Sequence, residues 1–323
     1  MSSNYTERFT CLSTDKSSAR WPDFTRHRAP HKPLLLLAVM DLIAQGSLPH
    51  NLIELNAELG ELFTLYWSTI FPPDTSKRGN IAMPFWHLQS DGFWHLQPRP
   101  GQEAILAGSS KIHSISRLQE LSFGAKLDEE LYEWLCTENG RSQARAVLLA
   151  TYFTAPVREA LVTQTAVNVA SFQYSEKLLA EAHQTSLIKE RDVETVVRDQ
   201  GFRRAIVKAY EHRCAICGLK ILTADGHTAV AAAHIIPWHV SYNDHPRNGL
   251  ALCHLCHWTF DKGLVTFNNQ YQVKTSPQLM TNTNLPGHLL TFAGRKLIGP
   301  RDDNLWPFPE SIHWHRKQVF RTR

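Results

Sequence analysis

Two Cys-x-x-Cys pairs carry the sharpest chemistry in the sequence, Cys214-Ala215-Ile216-Cys217 and Cys253-His254-Leu255-Cys256. Each pair can form a tight knuckle with both thiolates on one side, and two knuckles supply the tetrahedral sulfur set of a structural zinc. The alternative is four reduced, buried cysteines without a metal. The 35 residues between the knuckles, 218 to 252, exceed the gap of a simple zinc ribbon, so a segment is inserted. That insert holds His234 and Asn248, and His257 and Asp261 follow in or just after the second knuckle. A neutral imidazole can take a proton from water near pH 7, which suits His234 to the work of a general base; a structural cap is the plainer role. Asn248 cannot titrate, so it fixes a loop, orients His234 or offers its carbonyl to a metal. His257 and Asp261 are four apart and share one helix face. A ring nitrogen and a carboxylate oxygen there suit a hard or borderline divalent ion, although Asp261 could equally cap the helix or pair near Lys262. His239, His245 and His254 read as ordinary loop or surface histidines.

Three pieces stand in register: Ala231-Ala232-Ala233-His234-Ile235-Ile236-Pro237-Trp238, Arg247-Asn248-Gly249-Leu250-Ala251-Leu252-Cys253 and His257-Trp258-Thr259-Phe260-Asp261-Lys262-Gly263-Leu264. In this order of strand histidine, loop asparagine and helix histidine, residues 198 to 273 resemble the HNH nuclease family in its restriction-enzyme-like branch. The resemblance implies a ββα-metal fold and a metal-dependent DNA endonuclease with His234, Asn248 and His257 as its catalytic set. His257 and Asp261 would hold Mg²⁺, Mn²⁺ or another divalent ion that polarises the scissile phosphate. It also implies products with 5′-phosphate and 3′-hydroxyl ends. The sequence departs from many relatives at Ala231, where they carry an acid three residues before the histidine.

The elements that must position these residues form an α+β protein of two domains, the better prior for 323 residues. The expected division is a helical and β-hairpin DNA-recognition domain over 1–160, a helical connector over 161–190, and a nuclease domain with a C-terminal extension over 191–323. His31 to Gly46 predicts a buried helix, with Pro33 in its first turn and Gly46 at its stop. Leu55, Leu59, Leu62, Phe63 and Tyr66 predict a second helix, broken by Phe71-Pro72-Pro73-Asp74 before the polar loop Thr75 to Asn80. Phe85-Trp86-His87-Leu88-Gln89 echoes in Phe93-Trp94-His95-Leu96-Gln97, which predicts an aromatic β-hairpin turning at Asp91-Gly92. Asp128 to Cys136 and Arg141 to Phe153 predict two helices parted by Asn139-Gly140. Arg191 to Glu211 predicts a basic amphipathic helix whose Arg198, Arg203, Arg204 and Lys208 either contact phosphates or are simply solvated. Val265 to Val273 predicts a hairpin turning at Asn268-Asn269. The basic C-terminal tail from His313 is either a surface strap or a contact to DNA backbone.

The segments Pro30-His31-Lys32-Pro33-Leu34 and Met83-Pro84-Phe85-Trp86-His87, in a stretch of about 20 to 155, resemble the sulfur-binding domain found fused to HNH nucleases. Such fusions are type IV restriction enzymes that cut phosphorothioate-modified DNA. Sulfur is larger, softer and less hydrated than the oxygen it replaces, so a shallow apolar pocket can prefer it. By this resemblance Met83, Pro84 and His87 line the pocket, and Arg28, His31, Lys32, Lys77 and Arg78 hold flanking phosphates or read a base edge. Met83 stands where the family commonly has tyrosine. Two alternatives stay open: a trigger of methylated or otherwise modified bases, flipped into a cage of Trp86 and Trp94, and a zinc-dependent DNA-binding module without cleavage. The expected partner is double-stranded DNA, with a homodimer to cut both strands.

Composition sets the outer bounds. A net charge of +4 permits nucleic-acid binding without requiring it. The polar start Met1 to Thr10 lacks a signal-peptide layout, and the apolar run Leu34 to Ile43 is about half of a bilayer span, so a soluble, cytoplasmic protein without membrane contact is expected. In a reducing compartment six cysteines do not suggest a disulfide framework.

Overall fold

The computed structural model describes residues 2–72, 75, 77–109, 112–182, 193–223, 225–280 and 284–322. The end of the expected connector, Arg191 at the start of the expected basic helix, and Pro73, Asp74 and Ser76 of the expected breaker and loop lie outside the described residues. The chain divides into two compact units, residues 1–169 with 223–227, and residues 170–222 with 228–323.

The first unit is mainly helical. It contains α1 (Ser2–Thr10), α2 (His31–Ala44), α3 (Ala57–Ile70), α4 (Ala82–His87), β1 (Trp94–Pro98), α5 (Glu103–Gly108), α6 (Ile115–Leu121), β2 (Ser122–Leu127), α7 (Glu129–Cys136) and α8 (Glu138–Tyr152). The long α9 (Ala155–Glu181) follows, and the boundary between the units falls within it. The central helix is α2, buried from Lys32 to Ile43, as its unbroken apolar run requires. Its single buried acid, Asp41, is satisfied by Arg145 at 2.6 Å, Tyr66 at 2.6 Å and Asn168 at 2.8 Å. A buried carboxylate is tolerated only with such partners.

The expected aromatic hairpin is not formed. Its first half is α4, and the second half, β1, pairs antiparallel with β2 more than twenty residues downstream. Asn80 accepts the Ala82 amide at the start of α4, and Pro84 sits in the first turn, where a missing N–H costs nothing. Gly92 does adopt the left-handed conformation, φ 78°, but it ends a 3₁₀ turn rather than closing a hairpin. Phe85, Trp86, Phe93 and Trp94 are all core residues. Asn139 and Gly140 likewise lie in the first turn of α8 instead of separating two helices.

The second unit contains α10 (Thr195–Ala209), β3 (Val230–His234), α11 (Trp238–Ser241), β4 (Gly249–Cys253), α12 (His254–Asp261), β5 (Val265–Phe267), β6 (Val273–Thr275) and α13 (Pro309–Gln318). Strands β3 and β4 pair antiparallel with His234 opposite Gly249, and α12 leaves directly from β4. This is a ββα unit. Helix α10 lies so close that a Cβ on Gly249 would stand 2.4 Å from the end of the Ile206 side chain, so a larger residue after Asn248 would require Ile206 and Phe202 to shift. The β5–β6 hairpin forms as expected, its turn closed by Asn268 Oδ1 accepting from Gln270 and Gln272. The basic tail is a helix, α13. Its His315 is buried, stacks on Phe260 at 3.7 Å, accepts from Thr266 and donates to the Phe260 carbonyl. Among the described residues no helix is long and apolar enough to cross a membrane.

Candidate nuclease site and DNA-recognition surface

The four cysteines converge. Their sulfurs lie within 4.8 Å of one another, with Cys217 and Cys253 3.7 Å apart. A tetrahedral zinc with bonds of about 2.3 Å sets sulfur separations of about 3.8 Å, so the cluster fits that ion. The first knuckle turns at Gly218, φ 78°, whose amide bonds the Cys214 carbonyl; the second is the start of α12. Hydrogen bonds from Cys253 and Cys256 hold the Cys214 thiol well below the usual range, while hydrogen bonds to Cys214 and Cys253 push Cys256 up. Thiols crowded this closely can give up their protons to a cation, as metal binding by cysteine requires. Among the described residues this is the one group of three or more such ligand side chains; His257 and Asp261 stand as a pair.

His234 ends β3, where strand pairing fixes its backbone, and its side chain keeps 21% exposure. Its ring lies flat on Phe202 of α10, centroids 3.9 Å apart and planes within 6°. Nε2 meets Asp244 Oδ1 at 2.7 Å. Asp244 is fully buried, accepts from the Tyr174 hydroxyl at 2.9 Å, and has Arg198 Nε at 3.8 Å. Sequence reading missed Asp244, because nothing in a loop spacing of ten residues marks an acid as a ring partner.

Asn248 is fully buried and clamps the loop that follows β3. Its Oδ1 accepts from the Ile236 amide, and its Nδ2 donates to the Ile236 and Asn243 carbonyls, each at 3.0 Å. Of the three roles open to it, this geometry is that of loop fixing; its carbonyl is engaged within the protein. His257 and Asp261 share a face of α12 as expected, with Nε2 3.4 Å from Oδ2, and Asp261 is more than half exposed. Burial of its carboxyl nevertheless raises the Asp261 pKa. His239 and His254 are exposed, while His245 is buried and accepts the Arg247 amide. On the basic face of α10, Arg198 lies over Trp238 and Arg204 over Phe172, while the exposed Lys208 pairs with Glu176.

In the first unit the predicted binding residues divide. Arg78 is exposed, Arg28 lies over the Tyr152 ring, and Lys77 lies 4.5 Å over the Trp21 ring. Met83 and His87 are partly exposed, four apart on α4, with Pro84 buried between them. Two of these residues are drawn inward. Lys32 is buried and bonds Asp91 at 2.6 Å and Ser90 at 3.2 Å, so its charge is spent inside the fold. His31 is wedged between Trp21 and Trp67, and burial, helped by the Lys77 charge, lowers its pKa to about 4. At neutral pH it therefore carries no charge for a phosphate. A cleft of ≈ 450 Å³ that sequence reading did not anticipate has Trp21, Phe24, Phe71 and Pro72, with Arg20 and Lys77, among its lining residues.

Comparison with known proteins accords with both halves of this description. The ScoMcrA-like DNA sulfur-binding domain model matches residues 6–169, just over half of the chain. The chain belongs to this sulfur-binding domain family. The HNH endonuclease model matches residues 214–268, which span the two cysteine knuckles, β3, β4 and α12. The protein thus carries a sulfur-binding domain followed by an HNH endonuclease domain. No curated protein matches the chain. Among solved structures it is similar to the modification-dependent TagI restriction endonuclease, at 24% identity and a TM-score of 0.29. That match covers 40% of this chain and 41% of the other, so the chain spans about two fifths of that structure.

Proposed function

We propose that this protein is a type IV restriction endonuclease that recognises phosphorothioate-modified double-stranded DNA and hydrolyses it at the HNH site. In this reading residues 1–160 recognise the modification, 161–190 connect, and 191–323 cut, with two copies acting together to break both strands. The observation that carries it is the presentation of His234: anchored at Nε2, stacked on Phe202, partly exposed, and within an HNH domain joined in one chain to a sulfur-binding domain. His234 takes the proton of the attacking water, Asn248 holds the loop that shapes the site, and the P–O3′ bond breaks to leave 5′-phosphate and 3′-hydroxyl ends. His257 and Asp261 would hold Mg²⁺ or Mn²⁺, which supplies charge neutralisation at the phosphate. The four cysteines would hold zinc, as a fold element.

In the recognition domain, Met83 and His87 with Pro84 line the sulfur pocket, and Arg28, Lys77 and Arg78 hold the flanking backbone. The burial of Trp86 and Trp94 leaves the flipped-base alternative without its cage. The test of the cleaving role is His234→Ala. Loss of cutting with unchanged DNA affinity supports the enzyme; unchanged cutting removes it, and no cutting by either protein with intact binding favours the non-cleaving module.

A further inference from the structure

The sequence lacks an acid at position 231, yet the structure brings a carboxylate to His234 from the far side of the following loop. We propose that Asp244 is the positioning residue that sets the tautomer of His234, so that Nδ1 is the nitrogen that takes the proton from water. The inference rests on the nuclease reading for its consequence, not for its geometry. A carboxylate accepts and cannot donate, so Nε2, 2.7 Å from Asp244 Oδ1, carries the ring hydrogen. The neutral ring then has its lone pair on Nδ1, which has no hydrogen bond among the described residues.

Asp244 is itself held in place. It is fully buried; Tyr174 of α9 donates to Oδ2 at 2.9 Å, and Arg198 of α10 lies beyond at 3.8 Å, fixed over Trp238 and bonded to Asp199 at 2.6 Å. Phe202 covers one ring face and Asp244 ties one ring edge, so the imidazole is left with a single orientation. In the step, a water O–H bond breaks and its proton goes to Nδ1. The P–O bond forms, the P–O3′ bond breaks, and O3′ takes a proton from solvent.

Two measurements on the full chain test this. Nitrogen-15 spectra of histidine-labelled protein at neutral pH are expected to show His234 protonated at Nε2 and bare at Nδ1; the reverse pattern overturns the proposal. The substitution Asp244→Asn presents an amide that can donate to Nε2 and so favours the wrong tautomer. By analogy with the same change in serine-protease triads, the cleavage rate is expected to fall on the order of 100- to 10,000-fold with DNA affinity within about twofold. Cutting within about threefold of the wild type overturns the proposal. Should Asp244→Asn fail to bind zinc and fold, Tyr174→Phe, which removes one bond to Asp244, is expected to cut roughly 3- to 10-fold more slowly, and no change there counts against it. The double variant with His234→Ala is expected to be no slower than His234→Ala alone, because the two act as a unit. A wild type that cuts no duplex defeats the nuclease reading, while the spectra still decide the tautomer.

Discussion

Replacing His315 by glutamine is expected to remove one proton-linked loss of stability in acid. In the native protein the ring is 2% exposed, lies on Phe260, donates from Nε2 to the Phe260 carbonyl and accepts at Nδ1 from Thr266. A neutral ring satisfies every one of those contacts, and burial lowers the pKa from 6.5 to about 4. The unfolded chain therefore binds a proton at a higher pH than the folded chain does. The stability from this site is complete above pH 6.5 and is lost as pH falls from 6.5 toward 4. The linkage amounts to roughly 2 kcal/mol lost between pH 7.5 and pH 5, and about 3 kcal/mol by pH 4. A glutamine amide can donate to Phe260 and accept from Thr266 without titrating. Urea unfolding of both proteins at pH 7.5 and pH 5 is the assay. Acid release of a metal held by the four cysteines and the titration of His31 would act on both proteins and cancel in the difference. The wild type is expected to lose about 2 kcal/mol more than His315→Gln between the two pH values. Equal losses would refute the account of a neutral, buried ring.

Four further outcomes follow from the structure. Asn248→Asp turns an oxygen toward the Ile236 and Asn243 carbonyls in place of two donated bonds. It is expected to cost about 3 kcal/mol or more and to abolish cutting, read by thermal unfolding beside a cleavage assay. Lys32→Ala strands the buried Asp91 carboxylate and is expected to destabilise the chain by about 3–5 kcal/mol, whereas the exposed Arg78→Ala leaves stability unchanged and lowers the salt slope of DNA binding by about 0.9. Metal analysis is expected to find one zinc per chain, lost with lower thermal stability on strong chelation and in Cys253→Ser.

The catalytic half was legible because its chemistry is local and periodic. Paired cysteine knuckles, a histidine at a strand end and an i, i+4 pair on a helix need no long-range knowledge, and the structure places each in the expected kind of element. Asp244 was not legible, because its partnership with His234 depends on how a loop folds back against α9 and α10. In the recognition half, the apolar run of α2 was unmistakable, yet the aromatic echo misled. Alternating aromatics and an Asp-Gly pair suit a hairpin, but Phe85, Trp86 and Leu88 are also spaced to bury one side of a short helix. Tertiary packing decided between the two. Charge proved the least readable signal: Lys32 and His31 sit in a promising motif, but burial gives one a partner and leaves the other neutral.

The central claim is tested most directly by one cleavage assay on three matched duplexes, unmodified, methylated and phosphorothioated, with Mg²⁺ or Mn²⁺ and with chelator. Cutting confined to the phosphorothioated duplex, dependent on the divalent ion and absent in His234→Ala, is the predicted result. Equal cutting of all three, or cutting of the methylated duplex alone, would contradict it.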